Sequence, residues 1–196
     1  MDIISALGGI GAAFGLSSSA GLNAYIPLLV VALASRLPLE QPLLQLSEPY
    51  SLLGHWLVIA VLVILLGIEM TVDKIPAVDT ANDVIQTVVR PAAGALLFAA
   101  NANVVTDISP LLALIAGLIL AGGVHATKGV ARPVITAGTA GTGNWLVSLL
   151  EDLVAVVVSI LSVLLPLLAL IAIVTIVVLV LYYRRRRRSR HLPARG

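Results

Sequence analysis

Long apolar stretches separated by short polar interruptions set the pattern of this chain. Several exceed the roughly 18 to 20 residues that a helix needs to cross a hydrocarbon core. The first occupies residues 3–34, too long for one upright span. At its middle lies the run from Gly15 to Gly21, rich in glycine and serine. This predicts a discontinuous or sharply kinked helix, which a membrane tolerates only where protein or a water-filled cavity satisfies the freed backbone groups. The competing reading is close helix packing through the small residues Gly8, Gly11 and Gly15.

Residues 37–50 hold three prolines with Glu40 and Glu48 and read as an aqueous loop. A second span follows over 52–71, with His55 and Trp56 at an interface and Glu69 near its far end. The segment 73–79 then breaks the helix, and Thr80 with Asp83 three residues later has the form of an N-cap box. The third helix should start there, reach about Val105 and bend at Pro91. At about 100° per residue, Asp83, Gln86, Arg90, Gly94 and Asn101 share one quadrant of its surface, so it carries one polar face.

A fourth span covers 108–126, with His125, Lys128 and Arg132 at or beyond its end. The small, polar, glycine-rich run from Thr136 to Asn144 reads as irregular backbone. Residues 145–183 are almost unbroken hydrophobic sequence. As one helix they would extend about 58 Å against a hydrocarbon thickness of about 30 Å. A hairpin near Ser162 to Pro166 gives six crossings in all; one long, tilted, kinked helix gives five. The expected fold is therefore all-α, a polytopic helical membrane bundle of five or six spans with discontinuous or kinked helices.

Composition agrees with lipid as the solvent: 59% of the 196 residues are hydrophobic and 11% charged, where soluble domains carry about a quarter charged. The net charge of +2 conceals an asymmetry, because Arg184 to Arg188, Arg190 and Arg195 supply seven of the twelve cations. Such a run directly after a span fixes orientation and touches anionic lipid headgroups, so lipid rather than nucleic acid is the expected partner. We expect one transmembrane domain over residues 1–183 and a basic cytoplasmic tail over 184–196. With the tail inside, six crossings also place Lys74, Lys128 and Arg132 on the cytoplasmic side, as the positive-charge bias favours. The N-terminus opens with Asp2 and lacks a basic leader region, so it reads as retained structure. The absence of cysteine excludes disulfides and thiolate chemistry.

The segment from Glu69 to Asp83, EMTVDKIPAVDTAND, resembles a bacterial membrane family, domain of unknown function 4126. The likeness extends to the Gly21-to-Leu29 segment GLNAYIPLL, to Pro91 with Gly94, to the Thr/Gly run ending in Gly143-Asn144, and to the long apolar C-terminus with its basic end. It implies a multi-pass protein of the bacterial plasma membrane. Glu69, Pro76, Asp79 and Asp83 match the family pattern, whereas Asp73 and Lys74 fall where variable residues are expected. The family carries no activity to transfer.

Ionisable side chains inside spans cost roughly 2.5 to 3.5 kcal/mol each on insertion scales, so each requires a partner, a cavity or a nearby interface. Glu69, Arg90, His125, Glu151 and Asp152 raise that question. If helical, His125, Lys128 and Arg132 share one face. The candidate binding residues are Glu69, Asp79, Asp83, Arg90, His125, Lys128, Arg132 and Asn144. The acidic members would oppose the basic ones near one membrane face, or serve as helix caps and internal ion pairs. No cofactor is expected; carboxylates with His125 permit a divalent metal, although their spacing matches no defined metal loop. There is no His-Glu-x-x-His, nucleotide-binding glycine loop or Gly-x-Ser-x-Gly motif. Three functions compete. The leading one is a small transporter or channel-like protein for an ion or small polar solute. The others are a membrane-embedded lipid-modifying enzyme using Asp79 and Asp83, and a non-catalytic scaffold or assembly factor. Homo-oligomerisation is left open.

Overall fold

A computed structural model describes residues 3–72, 76–102, 109–139 and 143–166, with 171, 175, 178, 179 and 182 beyond them; of residues 3–6, 76–81, 83 and 102 it describes the backbone alone. Among these residues every regular element is helical, so the expected all-α bundle is the fold found. The helices are α1 (Ile3–Leu22), α2 (Tyr25–Ala34), α3 (Trp56–Val72), α4 (Pro76–Ala102), α5 (Pro110–Thr139) and α6 (Gly143–Leu164), with a 3-10 turn at Tyr50–Gly54.

Three stretches are long and apolar enough to cross a membrane: Val84–Asn101 within α4, all of α5 and all of α6. The distribution of side chains fits lipid as well. Leu57 and Ile64 of α3, Leu112 and Ile119 of α5, and Leu150 and Leu153 of α6 point outward, while Ser17, Ser19, Arg90 and Ser159 are buried. An apolar exterior of this extent is foreign to water-soluble monomers.

Small residues set how closely the helices approach. Helix α1 packs against α4, α5 and α6, and α4 and α5 share the most extensive contact in the bundle. At the α4/α5 crossing, a methyl group added to Gly117 would collide with the Gly94 carbonyl and lie 2.8 Å from the Ala95 Cα. One added to Gly21 would lie 2.5 Å from the Ala121 carbonyl. Serine hydroxyls bridge the same interfaces: Ser17 Oγ donates to Gly94 O at 2.9 Å, and Ser19 Oγ donates to Ala155 O at 2.9 Å while meeting Ser159 Oγ at 2.8 Å. Close packing and interhelical hydrogen bonds are what hold helices together in lipid, where burying apolar surface offers little gain.

The helix ends differ from the sequence expectations in three places. The first segment does break, but at Asn23 and Ala24 rather than within Gly15 to Gly21; that run stays helical because its small residues serve the contacts with α4, α5 and α6. Helix α4 starts at Pro76, so Thr80 lies inside it and the N-cap box is not its start. Proline suits a first helical position, where its missing N–H has no intrahelical role. The helix also continues through Pro91. Helix α5 continues to Thr139, so Thr136 to Thr139 are helical rather than irregular; Thr136 and Thr139 each donate a hydroxyl to the carbonyl four residues back. By contrast, α6 ends at Leu164, inside the Ser162-to-Pro166 segment where the six-crossing reading places its hairpin. The choice between five and six crossings falls largely on residues outside those described, as do Asp73, Lys74 and the arginine tail.

Candidate functional site

The break between α1 and α2 organises the polar interior. Asn23 is 1% exposed, and its Oδ1 accepts from the backbone N–H groups of Tyr25 (3.0 Å) and Ile26 (3.1 Å), satisfying the opening donors of α2. Its Nδ2 donates to Asp152 Oδ1 on α6 at 3.0 Å. On the other side of the break, Lys128 Nζ donates to the carbonyl of Leu22, the last residue of α1, at 3.3 Å. A cation there also complements the negative end of the α1 dipole. Side chains from α5 and α6 thus meet the discontinuous helix at both of its cut ends.

Two ion-pair groups lie at this level. In one, Arg90 Nη2 of α4 donates to Glu69 Oε1 of α3 at 3.0 Å, with both side chains 1% exposed. Arg90 Nη1 also meets His125 Nδ1 of α5 at 3.3 Å, and His125 Nε2 meets Thr87 Oγ1 at 3.2 Å. Thr87 is exposed and His125 half-buried, so this chain of hydrogen bonds runs from the surface to a buried carboxylate. Tyr25 contacts the Gln86 side chain next to the pair. In the second group, Glu151 of α6 holds Lys128 Nζ at 2.7 Å and Arg132 Nη2 at 3.5 Å. Arg90 is near enough to Lys128 for the two cations to repel, which makes the groups one electrostatic unit.

Guanidinium nitrogens only donate, so the His125 Nδ1 that faces Arg90 has to accept. The Arg90 contact is thus a hydrogen bond in the tautomer that carries the ring proton on Nε2, facing Thr87 Oγ1. Side-chain 15N NMR of the solubilised protein at neutral pH should report a neutral His125 with its proton on Nε2; a proton on Nδ1 would contradict the hydrogen-bond chain.

Sequence reading and structure agree on the faces that meet. Gln86, Arg90 and Asn101 of the polar face of α4 are buried, and Gly94 lies at the helix crossing. His125, Lys128 and Arg132 do lie along one side of α5, and Arg90 does meet Glu69. The side chains of Asp79 and Asp83 lie outside the described residues; both positions are in α4. Asn144 stays apart from the cluster. Its side-chain amide meets Thr136 Oγ1 at 3.0 Å, tying the end of α5 to the start of α6. Asn23, Gln86, Glu151 and Asp152 join the site in space. Sequence marked Glu151 and Asp152 only as costly charges in an apolar run, and nothing in their spacing pairs Glu151 with α5.

Two buried polar atoms, Gln86 Oε1 and Arg90 Nε, have no hydrogen-bond partner among the described residues. Buried atoms of this kind are normally satisfied, and here they offer one acceptor and one donor on the same face of α4. No set of three histidine, aspartate or glutamate side chains among the described residues is arranged to hold a metal ion.

A helical bundle with membrane-length apolar helices and a buried ion-pair network at a helix break defines the class of protein. Within it, the sequence profile of DUF4126, a domain of unknown function, matches residues 10–186, and the chain belongs to that family. No curated protein and no solved structure matches the chain.

Proposed function

We propose that the protein is a multi-pass transporter or channel-like protein of the bacterial plasma membrane that moves an ion or small polar solute, with its C-terminal tail cytoplasmic. The observation that carries this reading is the gathering of Glu69, Arg90, His125, Lys128, Arg132 and Glu151 at the break between α1 and α2. Discontinuous helices place backbone ends and charged side chains at the solute site of many transporters, and ionisable groups in a membrane interior mark ion and solute paths by default. Gln86 Oε1 and Arg90 Nε, which have no hydrogen-bond partner among the described residues, supply polar contacts for a passing solute.

In liposomes containing the purified full chain, flux of at least one member of a broad panel of ions and small polar solutes is expected above that of empty liposomes. Glu69→Gln and Arg90→Ala should each reduce it at least tenfold, a loss of about 1.4 kcal/mol in the rate-limiting step. No flux for any panel member would sink the proposal.

A second reading, a non-catalytic scaffold, is favoured by one specific observation: the described charges bind one another, as in structural ion-pair networks. It differs in its response to exchange of partners. Glu69→Arg combined with Arg90→Glu should restore a scaffold, whereas a transport site tuned to one charge arrangement stays inactive.

A further inference from the structure

Helix α3 is anchored unevenly along its length. In its first half, Ile59 and Leu62 are buried in the hydrophobic cluster that also holds Leu28 and Val31 of α2. Over residues 63–72 the one buried residue is Glu69. Val63, Ile64, Ile68 and Met70 are exposed, and a Cβ added to Gly67 would meet nothing within 4 Å. The helix packs mainly on α2 and the 3-10 turn and touches α4 only lightly. Its second half, ten residues and about 15 Å long, is an arm that reaches the bundle interior through a charged side chain.

Lipid decides what holds such an arm. Apolar helix faces gain little by leaving hydrocarbon for protein, so close packing and polar contacts set whether a helix stays docked. Packing is sparse beyond Leu62, which leaves the polar contacts of Glu69 to carry the docking, foremost the bond it accepts from Arg90 Nη2 at 3.0 Å. Arg90 stays with the bundle if the arm leaves, because its Nη1 also meets His125 Nδ1 on α5. Gln86 Oε1 and Arg90 Nε, the buried atoms of α4 with no hydrogen-bond partner among the described residues, lie on the face where Glu69 lands. We propose that residues 63–72 of α3 form a gate that pivots near Leu62, closes over Gln86 and Arg90, and is latched by the Glu69–Arg90 pair. Baring either charge to hydrocarbon is costly, so the gate rests closed and opens when a solute takes the place of one partner. As a gate the arm rests on the transport reading, whereas the latch is tested without any solute.

The chain has no cysteine, so spin labels attach only at introduced thiols. The test is double electron–electron resonance of the full chain in lipid nanodiscs, with a label at Met70→Cys paired either with Leu153→Cys of α6 or with Leu118→Cys of α5. All three positions are exposed. Leu57→Cys, paired with the same two references, reports the first half of α3. Met70 lies eight residues, about 12 Å, beyond Leu62, so a swing of about 25° displaces it by about 5 Å. With Glu69 in place, each pair should give one narrow distribution. Glu69→Gln should add a second Met70 population, shifted by about 5 Å along at least one of the two lines, with both Leu57 distances unchanged. Glu69→Asp, which keeps the charge, should restore the single distribution. Unchanged Met70 distances in Glu69→Gln would overturn the proposal. So would equal broadening at Leu57 and Met70, which would make the ion pair a support of the whole fold rather than of the arm. An opening arm in a protein that moves no solute would sink the transport reading and leave the latch; flux together with a docked arm in Glu69→Gln would do the reverse.

Discussion

Replacing Arg90 with alanine should destabilise the protein by about 3–5 kcal/mol, the range for removing one partner of a buried ion pair. Glu69 and Arg90 are each 1% exposed at the side chain, so the truncation leaves a carboxylate that water cannot reach. Most of the loss reflects that stranded charge rather than the value of the pair. The double variant Glu69→Gln with Arg90→Gln should therefore be more stable than Arg90→Ala alone, although it lacks both charges. Equilibrium unfolding in mixed micelles measures the difference. A single variant costing under about 1 kcal/mol would show that the pair is solvated in the folded protein, contrary to its burial.

The second large effect is expected where the backbones of α4 and α5 cross. A side chain at Gly117 would run into the Gly94 carbonyl, the Phe98 Cβ and the Ala95 Cα. One at Gly94 would strike Ala121 and the Gly117 carbonyl. These neighbours are backbone atoms or the first atoms of side chains, so no rotamer change relieves the collision and the helices have to separate. Gly117→Val should cost at least about 3 kcal/mol, the upper end of ordinary overpacking. It should also weaken the site, since His125 and Lys128 lie two and three turns further along the same helix. Gly67, Gly123 and Gly129 face open space, and alanine at those positions should stabilise by about 0.4–1 kcal/mol through the unfolded chain. Thermal unfolding of the set, followed by helical circular dichroism, separates the two groups. A Gly117→Val protein as stable as Gly123→Ala would refute the close crossing.

These two effects also mark which parts of the architecture could be read in advance. The polar face of α4 was legible because 3.6-residue periodicity survives in any surroundings: Gln86, Arg90, Gly94 and Asn101 recur on one side whatever packs there. The alignment of His125, Lys128 and Arg132 followed from the same rule once α5 proved helical that far. Helix boundaries were less legible, because glycine and serine serve two opposed purposes in lipid. In Gly15 to Gly21 they permit close packing, with Ser17 and Ser19 bonded to neighbouring helices. The break itself is at Asn23, whose side chain can replace the lost backbone bonds. Local composition does not distinguish the two uses; the partner helices do.

What the sequence determined by itself was the solvent and the class of fold. Apolar runs of membrane length, few charges and a helical repeat of polar positions leave a helical bundle in lipid as the way to satisfy the backbone. Which charges meet was decided by tertiary structure alone. Glu69 and Arg90 are brought together across α3 and α4, and Glu151 is brought to Lys128 and Arg132 across α5 and α6. Periodicity fixes the face of a helix on which a residue lies, but the height at which two helices register depends on where their small residues allow contact. In this protein Gly21, Gly94, Gly117 and Ala121 set that height for α1, α4 and α5, the helices that carry Arg90, His125, Lys128 and Arg132.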